Sequence, residues 1–577
     1  MTDPFNLKRL QFSLARWLVI LFLTTAFSTN ASSTALNADV AKLALTCKVW
    51  GFLKYYHPVV AQGKVDWDKA LLKILPAVQN AKSQTELNAL GLYAINSLGR
   101  VPLNTQDNKP KKSHFNRNFD LSWTDNPQLF STTMVNVLNR IEKMHLVQPP
   151  YYASDWSQQR HILSHEKTDS TLMFPDETKR LLDLFRVWNV VEYYYPNKYL
   201  TDKPWDMVLL EMIPKFQYAK DTIEYHLTMK EFCVRLNDSR AQLVSPYLWQ
   251  YYGKLIPSCR ASLIESKLVV TGTFDQKKST ADDLRIGDVI TMVDGISIDS
   301  LMARNLRYIS AGNSVSTRVW FNTWMLLGHN DSVKISFQRK DQPEAEKVIR
   351  RYTLEELFPA TQATQETKKD IEIISGQFGL VNSRDAFFPE NAPATLDQLR
   401  GTKAIIFDLR IPGQSAWHTM NYFLSQRTPY AIVLDTDFEN PGKFIWRRGS
   451  LKCGGQWTGG EKQYTGEVVV LVSETTDSFS ENACMMLKTY SRCTVIGSQT
   501  EGTKRDLMIV PFLSGLGFKM ATDAIFYPDS TEIHRIGIVP DIYVEPTIEG
   551  IRNGEDEILN AAIAFLDKKY GEEMLGD

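Results

Sequence analysis

Ser478 stands where a hydroxyl could do chemistry. Val468-Val469-Val470-Leu471-Val472 is an apolar run, Ser473 to Asp477 are polar turn formers, and helix formers follow from Glu481 to Leu487. That order predicts a strand, a tight corner and a helix, with Ser478 at the helix start. Free N–H groups there, and the dipole behind them, stabilise an oxyanion forming beside the hydroxyl. The plainer role for a serine at such a corner is a helix N-cap, since Ser and Asp are the usual caps.

The rest of the chain must position that corner. Its 577 residues are enough for roughly three to four domains. The composition, 43% hydrophobic and 23% charged, is that of a globular protein. A net charge of −1 gives no electrostatic case for nucleic acid or an anionic membrane surface as partner. Lys8, Arg9 and Arg16 precede a short apolar run, Trp17 to Phe27, and the small residues around Ala31. This reads as a secretory signal, with the mature chain starting near Ser32 and an exported, periplasmic or cell-envelope location. The run is about half the ~20 residues a membrane span needs, so no stable span is expected after cleavage. Six scattered cysteines (47, 233, 259, 453, 484 and 493) have no metal spacing; disulfides and buried free thiols both remain open. No phosphate loop, metal cluster or cofactor fingerprint is present, so no cofactor is expected.

Two segments repeat at an offset of 138 residues. Val49-Trp50 to Tyr55-Tyr56 matches Val187-Trp188 to Tyr193-Tyr194, and Trp67-Asp68 matches Trp205-Asp206. Both show helical spacing, so a helical unit used twice is expected, its aromatics serving as core. Residues 153–172 read as a polar connector. From Ser262 the pattern turns to strands: Lys267 to Thr273, then Leu284-Arg285-Ile286-Gly287-Asp288 into Val289 to Val293, an Asp294-Gly295 turn, and Ser332 to Arg339. This resembles a PDZ domain, which binds extended peptide by strand addition; the stretch from Leu301 to Leu327 is a long insert. Beyond Leu357 strands alternate with helices, as in a parallel α/β sheet.

The C-terminal half resembles the tail-specific (C-terminal processing) and tricorn-like serine peptidases. The resemblance rests on Ile406-Phe407-Asp408-Leu409-Arg410 with Pro412-Gly413, on Ser478-Phe479-Ser480-Glu481, on Val495 to Gly502, on Phe526-Tyr527-Pro528-Asp529 and on Arg535 to Ile542. It implies that Ser478 is the nucleophile and that the N–H groups of Gly413 and Phe479 form the oxyanion hole. In the tricorn-like branch the base is a histidine in an Asn-Asp-Ser-His stretch. Here that stretch reads Asn237-Asp238-Ser239-Arg240, so Arg240 occupies the base position beside Ser239, and arginine does not deprotonate. In the processing branch the base is a lysine whose register falls on Thr503; Lys504, one residue later, is the substitute. His534 reads as a surface histidine and Glu532 as a candidate acid.

The expected architecture is multidomain α+β: a helical N-terminal repeat region, a PDZ-like β domain and a C-terminal α/β peptidase core of ClpP/crotonase type. The expected division is a signal peptide over 1–31, helical repeats over 32–150 and 173–256 joined by a linker over 151–172, the PDZ-like domain over 257–355 and the peptidase core over 356–577. Three functions fit: an exported serine-type peptidase acting on peptide or protein through an acyl-enzyme, a member of that family lacking its base that binds without cleaving, and a scaffold.

Overall fold

The computed structural model describes residues 31–99, 114–144, 151–152, 154–157, 160–163, 165–358, 370–382, 391–410, 416–417, 419–455, 463–502 and 507–573. The expected signal segment lies, but for Ala31, outside them.

The N-terminal region is helical. Its main elements are α1 (Ala31–Tyr56), α2 (Trp67–Asn80), α3 (Gln84–Ser97), α4 (Thr132–Glu142), α5 (Glu177–Tyr194), α6 (Trp205–Gln217) and α7 (Thr222–Val234). The 138-residue offset recurs as geometry. The Trp50 indole N–H donates to Trp67 O at 3.2 Å and the Trp67 indole N–H returns a bond to Trp50 O at 3.0 Å. Trp188 and Trp205 make the same reciprocal pair at 3.0 and 3.1 Å. Helices α3 and α7 start alike, on the caps Ser83 and Asp221, which accept the N–H of Glu86 and Glu224. Each indole thus has its N–H satisfied in the interior, as a core aromatic requires.

The stretch expected to be a linker is partly built in. It holds the strand pair Ser154–Ser157 and Arg160–Ile162, and Glu166 is buried against Lys54 at 2.6 Å. The polar residues that suggested a loop satisfy a charge inside the helical core; burial of such a group requires a partner.

The middle region is an antiparallel sheet. Its strands are β1 (Ile256–Pro257), β2 (Cys259–Ile264), β3 (Lys267–Thr273), β4 (Val289–Val293), β5 (Ser332–Gln338) and β6 (Ala345–Tyr352), in the order β1-β6-β5-β4-β3-β2. Helix α8 (Ser314–Trp324), from the long insert, packs on β2. Its Asn322 Oδ1 accepts the Leu263 N–H at 2.9 Å, and Phe321 is buried in the sheet's core. The edge at which an extended peptide was expected to add is therefore covered by the chain's own helix.

In the C-terminal region β7 (Ile371–Ile374), β8 (Phe378–Val381), β9 (Ala404–Asp408), β11 (Glu467–Val472), β12 (Cys493–Gly497) and β15 (Ile542–Tyr543) form one sheet, and β10 (Thr428–Thr436) belongs to a second. From β8 to β15 all pairs are parallel. Every residue of β11 is buried, as expected for a strand covered on both faces. One face packs on α9 (Ser478–Leu487), the other on α10 (Glu557–Glu573). The hairpin of β13 (Leu507–Pro511) and β14 (Gly517–Ala521) leaves this region and joins the helical core through Met508, Phe512 and Phe518. The C-terminal region and the helical region thus share one interior. All six cysteines are free thiols.

Candidate active site

Ser478 lies at the carboxyl end of β11, where open parallel sheets place their ligand sites. Gly497, at φ 134°, lets β12 run against the end of that strand; a Cβ there would collide with Val472 O. The corner itself is tied by side chains. The Ser473 N–H donates to Thr476 Oγ1 at 3.0 Å, and Thr475 Oγ1 donates to Arg410 O at 3.0 Å. Asp477 caps α9, accepting the Ser480 N–H at 3.1 Å. Capping therefore falls to Asp477, and the plainer reading of Ser478 as the cap is overturned. Ser478 is the first helical residue, buried, with its hydroxyl not engaged in capping.

The partner of that hydroxyl comes from the helical region. After α7 the chain turns at Asn237, in the left-handed region at φ 50°. Asp238 Oδ1 then accepts the Arg240 N–H at 2.9 Å, an Asx turn. Tyr195 Oη lies 3.3 Å from Asp238 Oδ2. Ser310 Oγ donates to Ala241 O at 2.7 Å, and Gln242 Nε2 to Ser239 O at 2.9 Å. Held in this way, Arg240 donates from Nη2 to Ser478 Oγ at 3.0 Å. Its Nε is buried and, among the described residues, has no hydrogen-bond partner.

A carboxyl group completes the cluster. Glu481, one turn beyond Ser478 on α9, accepts the Gly502 N–H at 2.7 Å and the Thr500 hydroxyl. This clamps the 500–502 turn to the helix that bears the serine. Between the clamped residues sits Glu501. Burial pushes its carboxyl up to about 7, and Glu481 and Asp477 add to the rise; the Ser239 hydroxyl bonded to it and the Arg240 charge pull it down. Sequence reading gave Glu501 no role. The signal was an acidic residue within the Thr500-Glu501-Gly502 turn of a motif already singled out.

The structure brings together Ser478, Ser239 and Arg240. The Phe479 N–H belongs to the first turn of α9, where no intrahelical acceptor exists. Gly413 and Lys504 lie outside the described residues. His534 is not a surface histidine: it is 4% exposed, with Nε2 at 3.2 Å from Tyr195 Oη. Glu532, the candidate acid, accepts the Tyr199 hydroxyl at 2.7 Å. Among the described residues no group of three or more His, Cys, Asp or Glu is placed to hold a metal ion.

A strand-to-helix serine and an acidic turn clamped to its helix thus stand before a parallel sheet. Residues 387–544 match the family model described as Peptidase family S41. This region is an S41 peptidase domain. A carboxy-terminal-processing protease of Bartonella bacilliformis is 32% identical over 92 residues, which is 16% of this chain and 21% of that protein. The match thus spans about a fifth of that relative's length. Among solved structures, mature CPAF complexed with lactacystin aligns at a TM-score of 0.53 and 13% identity, covering 70% of this chain and 99% of that one; at that identity the likeness is one of fold alone. The photosystem II D1 C-terminal processing protease aligns at 18% identity and a TM-score of 0.38, covering 65% and 98%, too low a score to bear on the site.

What the S41 site can do follows from its donor. A guanidinium on Oγ strengthens the acidity of the hydroxyl by a charge-assisted bond, but it has no lone pair to take the proton.

Proposed function

We propose that the S41 domain of this chain captures peptides at the Ser478–Arg240 site by a carboxylate group, and forms an acyl-enzyme slowly or not at all. The 3.0 Å contact between Arg240 Nη2 and Ser478 Oγ carries this reading. A nucleophilic serine needs an acceptor where this one meets a permanent donor. The Nε–Nη2 edge of Arg240 holds one neutral hydroxyl and one unpartnered N–H. The same edge of Arg410 grips Asp408 with both nitrogens, at 2.8 and 2.7 Å. A peptide carboxylate arriving at Arg240 would make that fork–fork pair in place of the serine contact.

One observation favours a second reading, in which the serine turns over. The Glu501 carboxyl, near 7 and bonded to Ser239, is a proton acceptor of suitable affinity. A fluorophosphonate probe separates the two. Under the first reading wild type labels slowly at most, and Arg240→His labels faster because it restores a base. Labelling of wild type that rises through pH 7 and disappears in Glu501→Gln would instead establish the second. For capture itself, peptides with a free C-terminal carboxylate should be retained by wild type, their amides should not, and Arg240→Met should retain neither.

Other parts of the proposal rest on sequence pattern with structural support. The middle sheet, with its Gly287-Asp288 turn docked on Arg552 (Nε to Gly287 O, 3.1 Å), is read as a PDZ-like domain over 257–355. The matched indole pairs support a duplicated helical unit over 32–150 and 173–256. The basic and apolar N-terminal residues support export to the periplasm or cell envelope. An export assay on the full chain, with N-terminal sequencing of the product, tests the last point: retention of Met1 in exported protein would refute it.

A further inference from the structure

The two helical units permit a comparison inside one molecule. The caps, the reciprocal indole pairs and the prolines Pro76 and Pro214 within α2 and α6 all coincide at the same offset, so residues can be compared one for one. In the second unit the space in front of Trp205 is filled by the unit's own side chains. Phe216, Tyr225, Met229 and Phe232 are all fully buried. The Phe232 ring meets Trp205 edge-on at 5.6 Å, and Phe216 contacts both Tyr225 and Phe232.

In the first unit the same four positions are Val78, Leu87, Gly91 and Ala94. All four line a pocket between α1, α2 and α3 with a volume of about 80 Å³, closed at the back by Trp50 and Trp67. Close-packed interiors rarely leave such a space. Phe130 and Met134, beside α4, close only part of it: a Cβ at Gly91 would meet the flexible end of Met134 at 3.0 Å. Leu87, Gly91 and Ala94 are half-buried, so the pocket reaches solvent along α3.

The chemistry of the walls defines what fits. No charged side chain lines the pocket. Its polar members are already committed elsewhere. Asn88 Nδ2 and Gln84 Nε2 donate to Leu129 O, Asn88 Oδ1 accepts the Ser131 N–H at 2.9 Å, and Thr46 Oγ1 donates to Lys42 O at 2.8 Å. An apolar space with so few free hydrogen-bonding groups favours apolar guests. The second unit shows the shape of the missing piece, which is the phenyl ring of Phe232 against an indole.

We propose that the first helical unit is a binding site for a small uncharged aromatic compound, which occupies the place that Phe232 fills in the second unit. The site belongs to the helical region and is independent of the Ser478 chemistry.

Toluene serves as the probe, with the full chain, by saturation-transfer NMR and thermal unfolding. Wild type is expected to show transfer to toluene and a higher Tm in its presence. Ala94→Phe, which supplies the second unit's residue, should lose both responses and should itself be at least as stable as wild type. Gly91→Met, the other second-unit residue, is the parallel variant should Ala94→Phe not fold. Absence of transfer in wild type overturns the proposal, including the case where filling raises Tm and the space is only a packing void. Equal transfer in wild type and in the filled variants overturns it as well, since toluene would then sit elsewhere.

Discussion

Glu501→Gln tests the electrostatics of the candidate site through stability alone. The carboxyl is pushed from its ordinary 4.5 up to about 7, first by burial. A raised carboxyl means that between those two values the folded chain binds more protons than the unfolded one. The stability from holding that proton is fully present below 4.5, is lost as pH rises through 7, and stays lost above. At 1.36 kcal/mol for each pKa unit, the whole window is worth about 3 kcal/mol. Glutamine keeps the shape and removes the titration. Wild type and Glu501→Gln should therefore unfold at similar urea concentrations near pH 4.5, while at pH 8 the variant should be more stable by about 2–3 kcal/mol, the lower figure allowing for a weaker bond to Ser239. The quantity to measure is the difference between the two proteins at each pH, which cancels the other carboxylates. A difference that is the same at both pH values would refute the buried, high-affinity carboxyl. A variant that is less stable at pH 8 would show that Arg240 holds Glu501 as a tight ion pair.

Two further expectations concern the scaffold that brings Arg240 to the serine. Lys54→Met should destabilise by about 3–5 kcal/mol, because Lys54 and Glu166 are both buried, 2.6 Å apart, and Glu166 would lose its close partner; urea unfolding measures it, and the double variant with Glu166→Gln should recover part of the loss. Trp188→Phe should cost on the order of 2 kcal/mol by breaking one reciprocal indole bond in the interior; unchanged stability would show that the pair is not structural.

The elements of the C-terminal sheet were legible in the sequence because local pattern sets them. Val468 to Val472 has the continuous apolar run that a strand buried on both faces requires, and Ser473 to Asp477 has the residues a corner requires. The matching spacing of Trp50–Trp67 and Trp188–Trp205 was legible in the sequence, and the structure gives both pairs the same reciprocal indole bonds. The cap was misread because Ser and Asp are nearly equivalent at N-caps, and only the path of the chain shows that the Asp477 carboxylate is the acceptor for Ser480.

What the sequence by itself determined is which residue types exist to do chemistry: a serine at a helix start, and an arginine where a base would be needed. No folding can give that guanidinium a lone pair. Tertiary structure alone decided what stands next to what. Arg240 and Ser478 lie 238 residues apart and come within hydrogen-bond distance because the β13–β14 hairpin, the Tyr199–Glu532 bond and the Tyr195–His534 contact hold the helical region against the S41 domain. Burial of Glu501, the occupied edge of β2 and the unfilled space before Trp67 are likewise invisible in the chain. Each depends on which side chains exclude water from which volume, a property of packing between distant segments that local pattern does not encode.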